Sequence, residues 1–256
     1  MKFNYKGRII TLMGYSKDDH IYRTIVNTKS FYEVELLEYI IKVMKNRAPE
    51  SIVCVDVGAN IGNHSVFLGS FISEHVVAVE PNPDVLPLLK CNLEINAISH
   101  TLFPVALGES EGFGELTIPL DENIGSARLN ELEQGTVPIT SFDTLFTDWK
   151  LSHPEFKLAI IKIDVEGMEL KVLKGAVNTL ISERPELFIE AASRYDYFKL
   201  AKHLGSLGYY PISCWGATPM YHFSCRSSVE NIKMKGYALE RKAINVFHKL
   251  RNRLGL

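Results

Sequence analysis

At 256 residues, 46% of them hydrophobic, the chain can bury one sizeable core, alone or with a small appendage. A net charge of −2 gives no bulk electrostatic attraction to nucleic acid, so no nucleic-acid partner is expected. Four cysteines (Cys54, Cys91, Cys214, Cys225) with no C-x-x-C pair support neither a disulfide framework nor a zinc site of that type.

The opening residues, 1–7, lack the apolar run of a signal peptide, and no apolar run reaches the roughly 20 residues of a membrane span. The expected setting is therefore cytoplasmic and reducing. Short alternating segments at 8–12 and 21–27, around a turn at 16–20, read as a small β element. Val34, Leu37, Ile40, Ile41 and Met44 recur at helical spacing and predict an amphipathic helix over 31–44.

Strands and helices then alternate. Residues 52–57 read as a strand, 63–71 as a helix, 76–80 as a strand, 84–95 as a helix capped by Asp84, and 102–106 as a strand. Residues 108–142 are rich in Gly, Thr and Ser and read as a β insertion or extended loop, with strand pattern at 115–119 and 137–141. Further on come a strand at 159–164 interrupted by Lys162, a helix at 168–180, a strand at 187–190, a helix at 197–207, and strands at 209–214 and 220–223. This alternation predicts an α/β fold, a doubly wound and mostly parallel sheet with helices on both faces. The expected organisation is an N-terminal β/helix extension over 1–48 packing on a core over 49–225, followed by a basic tail over 226–256. From Arg226 onward eight lysines and arginines face only Glu230 and Glu240, a local charge of +6. Within that tail Ala243, Phe247, Leu250 and Leu254 stand at helical spacing. They suit either a helix packed on its own domain or one lying on a membrane surface or a partner.

The most informative stretch is Val53-Cys-Val-Asp-Val-Gly-Ala-Asn-Ile-Gly-Asn-His64, a strand running into a glycine turn and a helix start. A second strand follows and ends in Glu80. Such a pair builds a nucleoside pocket in a parallel sheet. A dinucleotide site would need glycines where Asn60 and Asn63 stand, so the turn fits a ligand without a pyrophosphate better. S-adenosylmethionine is such a ligand. Asp56 is suited to attract its cationic end, Gly58 and Gly62 admit close backbone approach, and Glu80 can accept two hydrogen bonds from a ribose diol. A tight turn without a ligand, with Glu80 merely solvated, is the alternative.

Three blocks carry a resemblance to the FkbM family of class I methyltransferases: Val55-Asp-Val-Gly-Ala-Asn-Ile-Gly62 with Ser65, Val79-Glu-Pro-Asn-Pro83, and Ile161-Lys-Ile-Asp-Val-Glu-Gly-Met-Glu-Leu-Lys-Val-Leu-Lys-Gly-Ala176. Weaker blocks are Ser30-Phe-Tyr-Glu33, Ala106-Leu-Gly108 and Gly125-Ser126. The resemblance spans about residues 30–190 and stops there. It implies a seven-stranded Rossmann-like sheet and methyl transfer from S-adenosylmethionine, to hydroxyls that are often on sugars or polyketides. Glu33, Asp56, Gly58, Asn60, Gly62, Glu80, Asn82, Ala106 and Asp164 are the implied donor-binding positions.

Methyl transfer is an in-line displacement governed by alignment, and a sugar hydroxyl needs a general base within reach. Asp164, Glu166 and Glu190 stand at the C-terminal ends of strands, where open α/β sheets present ligands, and are the catalytic candidates. Glu166 also suits a helix N-terminus, and Glu169 a cap or ion pair. Lys162 fits a paired structural charge better than a catalytic one. Tyr32 and Glu33 stand in a segment able to fold over the donor pocket or simply to pack. His64 reads as a helix-start residue, and His153, His203 and His222 have no metal-ligand spacing. No metal site is expected, although Asp164 and Glu190 could hold a divalent ion. The acceptor is then a small molecule or glycan, with oligomeric state undetermined. Nitrogen or carboxyl methylation, a non-catalytic cofactor-binding scaffold, and a dehydrogenase remain alternatives.

Overall fold

The computed structural model describes residues 1–16, 19–45, 51–117, 127–216 and 218–226. The basic helix expected at 239–256 and the Gly125-Ser126 block lie outside the described residues, as does most of the tail.

A hairpin opens the chain, β1 (Lys2–Tyr5) against β2 (Arg8–Thr11), and sets Phe3 opposite Ile10. Two helices follow, α1 (His20–Thr28) and α2 (Val34–Met44). The β reading of 21–27 is thus corrected. Asp19 caps α1 by accepting from the Tyr22 amide at 2.6 Å, and Ile21 and Ile25 stand one helical turn apart with Ile25 fully buried. The same alternation of residue types serves a helix once a cap precedes it.

The first half of the core then runs β3 (Ile52–Val57), α3 (Asn63–Phe71), β4 (His75–Val79), α4 (Leu86–Ile95) and β5 (His100–Phe103). Asp84 does not cap α4. Its amide donates to Asn82 Oδ1 at 3.0 Å instead, and the helix starts two residues later beside a proline. The strand expected over 102–106 divides at Pro104, which has no amide hydrogen to give a ladder. Beyond it β6 (Ala106–Gly108) joins a second sheet with β7 (Gly112–Thr117), β8 (Arg128–Leu132) and β9 (Val137–Ser141), in the order β6-β9-β7-β8.

Ser141 then caps α5 (Phe142–Ser152), accepting from the Thr144 amide at 3.0 Å. This helix lies at the end of and beyond the region read as β insertion. Its signal was present in Phe142, Leu145, Phe146 and Trp149, a buried i, i+3, i+4, i+7 stripe. The remaining elements are β10 (Lys157–Ile163), α6 (Glu169–Lys174), α7 (Val177–Glu183), β11 (Glu186–Glu190), α8 (Arg194–Ser206), β12 (Tyr210–Trp215) and β13 (Met220–Ser224). The helix expected over 168–180 is broken at Gly175. A Cβ there would lie 2.1 Å from the Gly108 carbonyl oxygen, so the second sheet sits directly on the break.

The main sheet has seven strands in the order β12-β13-β11-β10-β3-β4-β5. β11, β10, β3, β4 and β5 pair in parallel, whereas β13 is antiparallel to both its neighbours. Central strands are buried on both faces, which is why they read as unbroken apolar runs. In β3, Cys54 belongs to one hydrophobic layer, with Phe3, Ile25, Phe31 and Phe67, so the N-terminal hairpin and helices share the core of the sheet. Val53, Val55 and Val57 belong to the opposite layer with Phe142, Trp149 and Leu173. Strand order reverses between β3 and β10, and the crevice beyond their C-terminal ends is where such a sheet receives a ligand.

Candidate functional site

At the end of β3 the backbone must leave the sheet and turn at once into α3. The Gly58 and Ala59 amides both donate to the Val79 carbonyl, at 3.0 and 3.2 Å, which ties the turn to the tip of β4. Gly58 has φ +74°, and a Cβ on it would lie 1.8 Å from the Asp164 carbonyl oxygen. Position 58 therefore admits no side chain, on grounds of conformation and of space.

Glu80 ends β4 almost fully buried. Its Oε2 accepts from the Asn60 amide at 2.8 Å and its Oε1 from the Asn82 amide at 2.9 Å. Each oxygen keeps a lone pair for a further donor. Burial pushes the Glu80 carboxyl up; the two amides and the Lys162 ammonium oppose that shift.

Asp56 and Gly62 stand elsewhere than expected. Neither lines the cavity at the sheet crevice. Asp56 is fully buried beneath the turn, where Oδ2 accepts from Ser65 Oγ at 2.6 Å and Oδ1 lies 3.2 Å from Lys162 Nζ. So placed, it lies behind the turn and outside the cavity lining. Asn82 is likewise one step removed, holding Glu80 through its amide.

Lys162 is the side chain around which the crevice is organised. Its ammonium donates to the Gly58 carbonyl at 3.0 Å and lies 3.2 Å from Asp56 Oδ1 and 3.4 Å from Asp164 Oδ2. Burial alone would lower the Lys162 pKa. The carboxylates of Asp56 and Asp164 outweigh it and raise the net value. The interruption of an apolar strand was the sequence signal for this residue; its pairing with the glycine turn comes from the β3–β10 contact.

The opposite wall is carboxylic. Glu190 at the end of β11 hydrogen-bonds Asp164 at the end of β10. Burial, then the Asp164 charge, push Glu190 up to about 9, so it holds a proton at neutral pH and donates it to Asp164. Burial also acts to raise Asp164, but Lys162 and the bond from Glu190 hold it below the ordinary value. Glu166 follows in a left-handed conformation, φ +50°, and is raised by burial and then by Asp164. One oxygen from each of Asp164, Glu166 and Glu190 lies within 4.8 Å of the others, the one grouping among the described residues with spacing for a metal. Glu169, outside this grouping, accepts from the Val165 and Gly167 amides at 3.3 and 3.0 Å.

These groups surround a cavity of about 300 Å3. Glu33, Gly58, Asn60, Glu80, Ala106, Asp164, Glu166 and Glu190, expected from sequence, all line it. So do His20, Tyr32, Thr218 and Met220, along with Leu116 and Leu129 of the second sheet. Tyr32 was weighed in the sequence only as a residue of a covering segment. Its phenol faces the carboxylates and is pushed up to about 12, by burial first and then by Glu33, Asp164 and Glu190. The Asn63 side chain fixes that segment, accepting from the Tyr32 amide at 3.0 Å and donating to its carbonyl at 3.2 Å. Beside it, Glu33 Oε2 lies 3.3 Å from Nε2 of the buried His64. His20 and Thr218 carried no signal, since they are brought in by α1 and by the turn between β12 and β13.

The sheet order and the crevice at its reversal are those of a Rossmann-like class I methyltransferase fold. The crystal structure of methyltransferase FkbM from Methylobacillus flagellatus KT has this fold, with a TM-score of 0.51 and 23% identity over 70% of this chain and 44% of that one. The family model described as the methyltransferase FkbM domain matches residues 56–210, more than half of the chain, which belongs to that family. Hexuronic acid methyltransferase AglP of Haloferax volcanii is 32% identical over 146 residues, 56% of this chain and 57% of the relative. The match thus spans little more than half of that curated relative.

Proposed function

We propose that the protein transfers a methyl group from S-adenosylmethionine to a hydroxyl of a carbohydrate or related metabolite. The observation that carries this reading is the pairing, across one cavity, of an amide-held Glu80 with the Asp164–Glu190 carboxyl pair.

The cavity walls suit the donor. Glu80 offers acceptor lone pairs suited to a ribose diol, the bare backbone at Gly58 leaves room beside it, and Val85, Ala106 and Leu107 supply apolar surface for a flat base. When bound, S-adenosylmethionine supplies an electrophilic methyl carbon on a sulfonium. Asp164, negative and anchored by Lys162, provides the charge suited to a cationic group nearby.

The acceptor hydroxyl must lose its proton as its oxygen gains the methyl. Glu190 is our candidate for the base. Its raised pKa makes it a far stronger proton acceptor than an ordinary carboxylate whenever it is ionised, and the Asp164 bond fixes its direction. Tyr32 and Glu33 border the same space and can hold hydroxyls of the acceptor. A second reading, methylation of a carboxylate, takes support from the hexuronic acid named for the Haloferax relative. Mass spectrometry of sugars and nucleotide sugars incubated with the protein and methyl-labelled donor tests both. Label stable to mild alkali indicates an ether on a hydroxyl, and label released by alkali indicates an ester.

A further inference from the structure

Two neighbouring residues at the start of α3 hold two neighbouring residues of a segment 31 positions earlier in the chain. Asn63 and His64 open the helix directly after the glycine turn, and Tyr32 and Glu33 lead into α2. Asn63 accepts from the Tyr32 amide at 3.0 Å and donates to the Tyr32 carbonyl at 3.2 Å. Both bonds go to the backbone, so Asn63 sets where position 32 stands and leaves the phenol free to face the cavity. His64 Nε2 lies 3.3 Å from Glu33 Oε2, with the two side chains only 10% and 13% exposed. That nitrogen is buried and makes no hydrogen bond among the described residues, which leaves the Glu33 carboxylate as the group it meets.

Glu33 is fixed from its other side as well. Its φ is +53°, a left-handed backbone that a residue with a side chain adopts only where its surroundings demand it, and its carboxylate does not cap α2. Its Oε1 packs against Gly216 in the turn after β12, where a Cβ would come within 2.7 Å of that oxygen. The carboxylate is thus wedged between α3 and the β12–β13 turn. All four residues line the cavity, and the Tyr32 phenol borders Glu33, Asp164 and Glu190. The glycine turn therefore cannot shift without carrying Tyr32 and Glu33 along. Alignment governs methyl transfer, and a displacement of about 1 Å can lower the rate on the order of 100-fold.

We propose that Asn63 and His64 are positioning residues, which hold Tyr32 and Glu33 as an acceptor-facing wall in fixed register with the donor turn. This rests on the reading of the site as one that methylates a sugar.

The test uses the full chain, methyl-labelled S-adenosylmethionine, and nitrophenyl glucoside, galactoside, glucuronide and galacturonide as acceptors. Calorimetry with S-adenosylhomocysteine reports the donor side separately. In Asn63→Ala and in His64→Leu the KM for the glycoside is expected to rise about tenfold or more, while S-adenosylhomocysteine affinity stays within about threefold of wild type. His64→Gln, which keeps a donor toward Glu33, recovers most of the loss. Glu33→Gln combined with His64→Leu is no worse than the weaker single variant, because the two act as one contact. If Asn63→Ala does not fold, the His64 and Glu33 variants decide alone. A lower kcat at unchanged KM overturns the proposal, since a merely structural defect reduces the amount of active protein and leaves KM where it was. So does S-adenosylhomocysteine affinity that falls in step with the rise in KM, which would assign the segment to the donor. No transfer by wild type to any of the four glycosides, with S-adenosylhomocysteine still bound, overturns the sugar-methylation reading itself and the proposal with it.

Discussion

Glu190 donates a hydrogen bond to Asp164 across the tips of adjacent parallel strands, and of the two it is Asp164 that keeps the negative charge. The asymmetry has a simple origin. Asp164 lies 3.4 Å from the Lys162 ammonium, whereas burial and the Asp164 charge both act against ionising Glu190. Two carboxyls whose environments push their pKa values apart divide the roles of charge and proton acceptor.

If Glu190 is the base, kcat/KM rises about tenfold per pH unit through neutrality and levels near pH 9, the value to which Glu190 is pushed. Glu190→Gln keeps a donor toward Asp164 but removes the acid–base function. It is expected to lower kcat by about 100-fold or more and to abolish that limb of the profile. Initial rates with labelled donor, measured from neutrality to above the expected limb at about 9, check both outcomes.

The same group makes a stability prediction with a definite sign. Its folded pKa, about 9, exceeds its ordinary 4.5, so the folded chain binds more protons between those values. Its contribution is fully present below about pH 4.5 and is lost as pH rises towards 9. Wild-type Tm therefore carries a falling component over that window, and Glu190→Gln flattens it. Thermal melts of the two proteins at matched pH measure the difference directly.

Lys162→Met removes the counter-charge of Asp56, which is fully buried. Breaking a buried pair from one side costs about 3–5 kcal/mol, so urea denaturation should show a midpoint well below wild type. Adding Asp56→Asn should recover part of that loss, because the fully buried charge is then gone and only Asp164, whose side chain is 31% exposed, has lost its counter-ion. Failure of the double variant to recover would mean that the Lys162 contact to the Gly58 carbonyl is the larger effect.

Glu80→Gln places an amide NH2 against one of two backbone N–H groups, so one of the bonds at 2.8 and 2.9 Å must break. Charged hydrogen bonds contribute about 1.5–3 kcal/mol each. Calorimetry with S-adenosylhomocysteine is expected to show affinity reduced by about 10- to 100-fold. Unchanged affinity would remove Glu80 from the donor site.

Gly58→Ala should lose donor binding more completely than any charge substitution at the site. The methyl would meet the Asp164 carbonyl in a left-handed conformation, forcing β3 and β10 apart where they hold the turn. A Tm drop accompanied by loss of S-adenosylhomocysteine binding is the expected pair of readouts.

By itself the sequence determined the parallel α/β core and the glycine turn that stands beside Glu80 at its crevice. β3, the turn at 58–62 and Glu80 lie within about 30 residues, and strand, turn and helix there depend on local pattern. Apolar runs at 52–57 and 159–163 marked strands buried on both faces for the same reason. Local pattern misled where two structures share one residue pattern, as at 21–27, or where a contact from elsewhere breaks an element, as Gly108 does at Gly175. Only the tertiary structure decided the rest. Asp56 reads as a ligand carboxylate until β10 sets Lys162 above it, and Glu190 reads as an ordinary acid until Asp164 stands beside it. Charge state and exposure depend on neighbours on other strands, through burial and Coulomb forces that carry no periodicity along the chain.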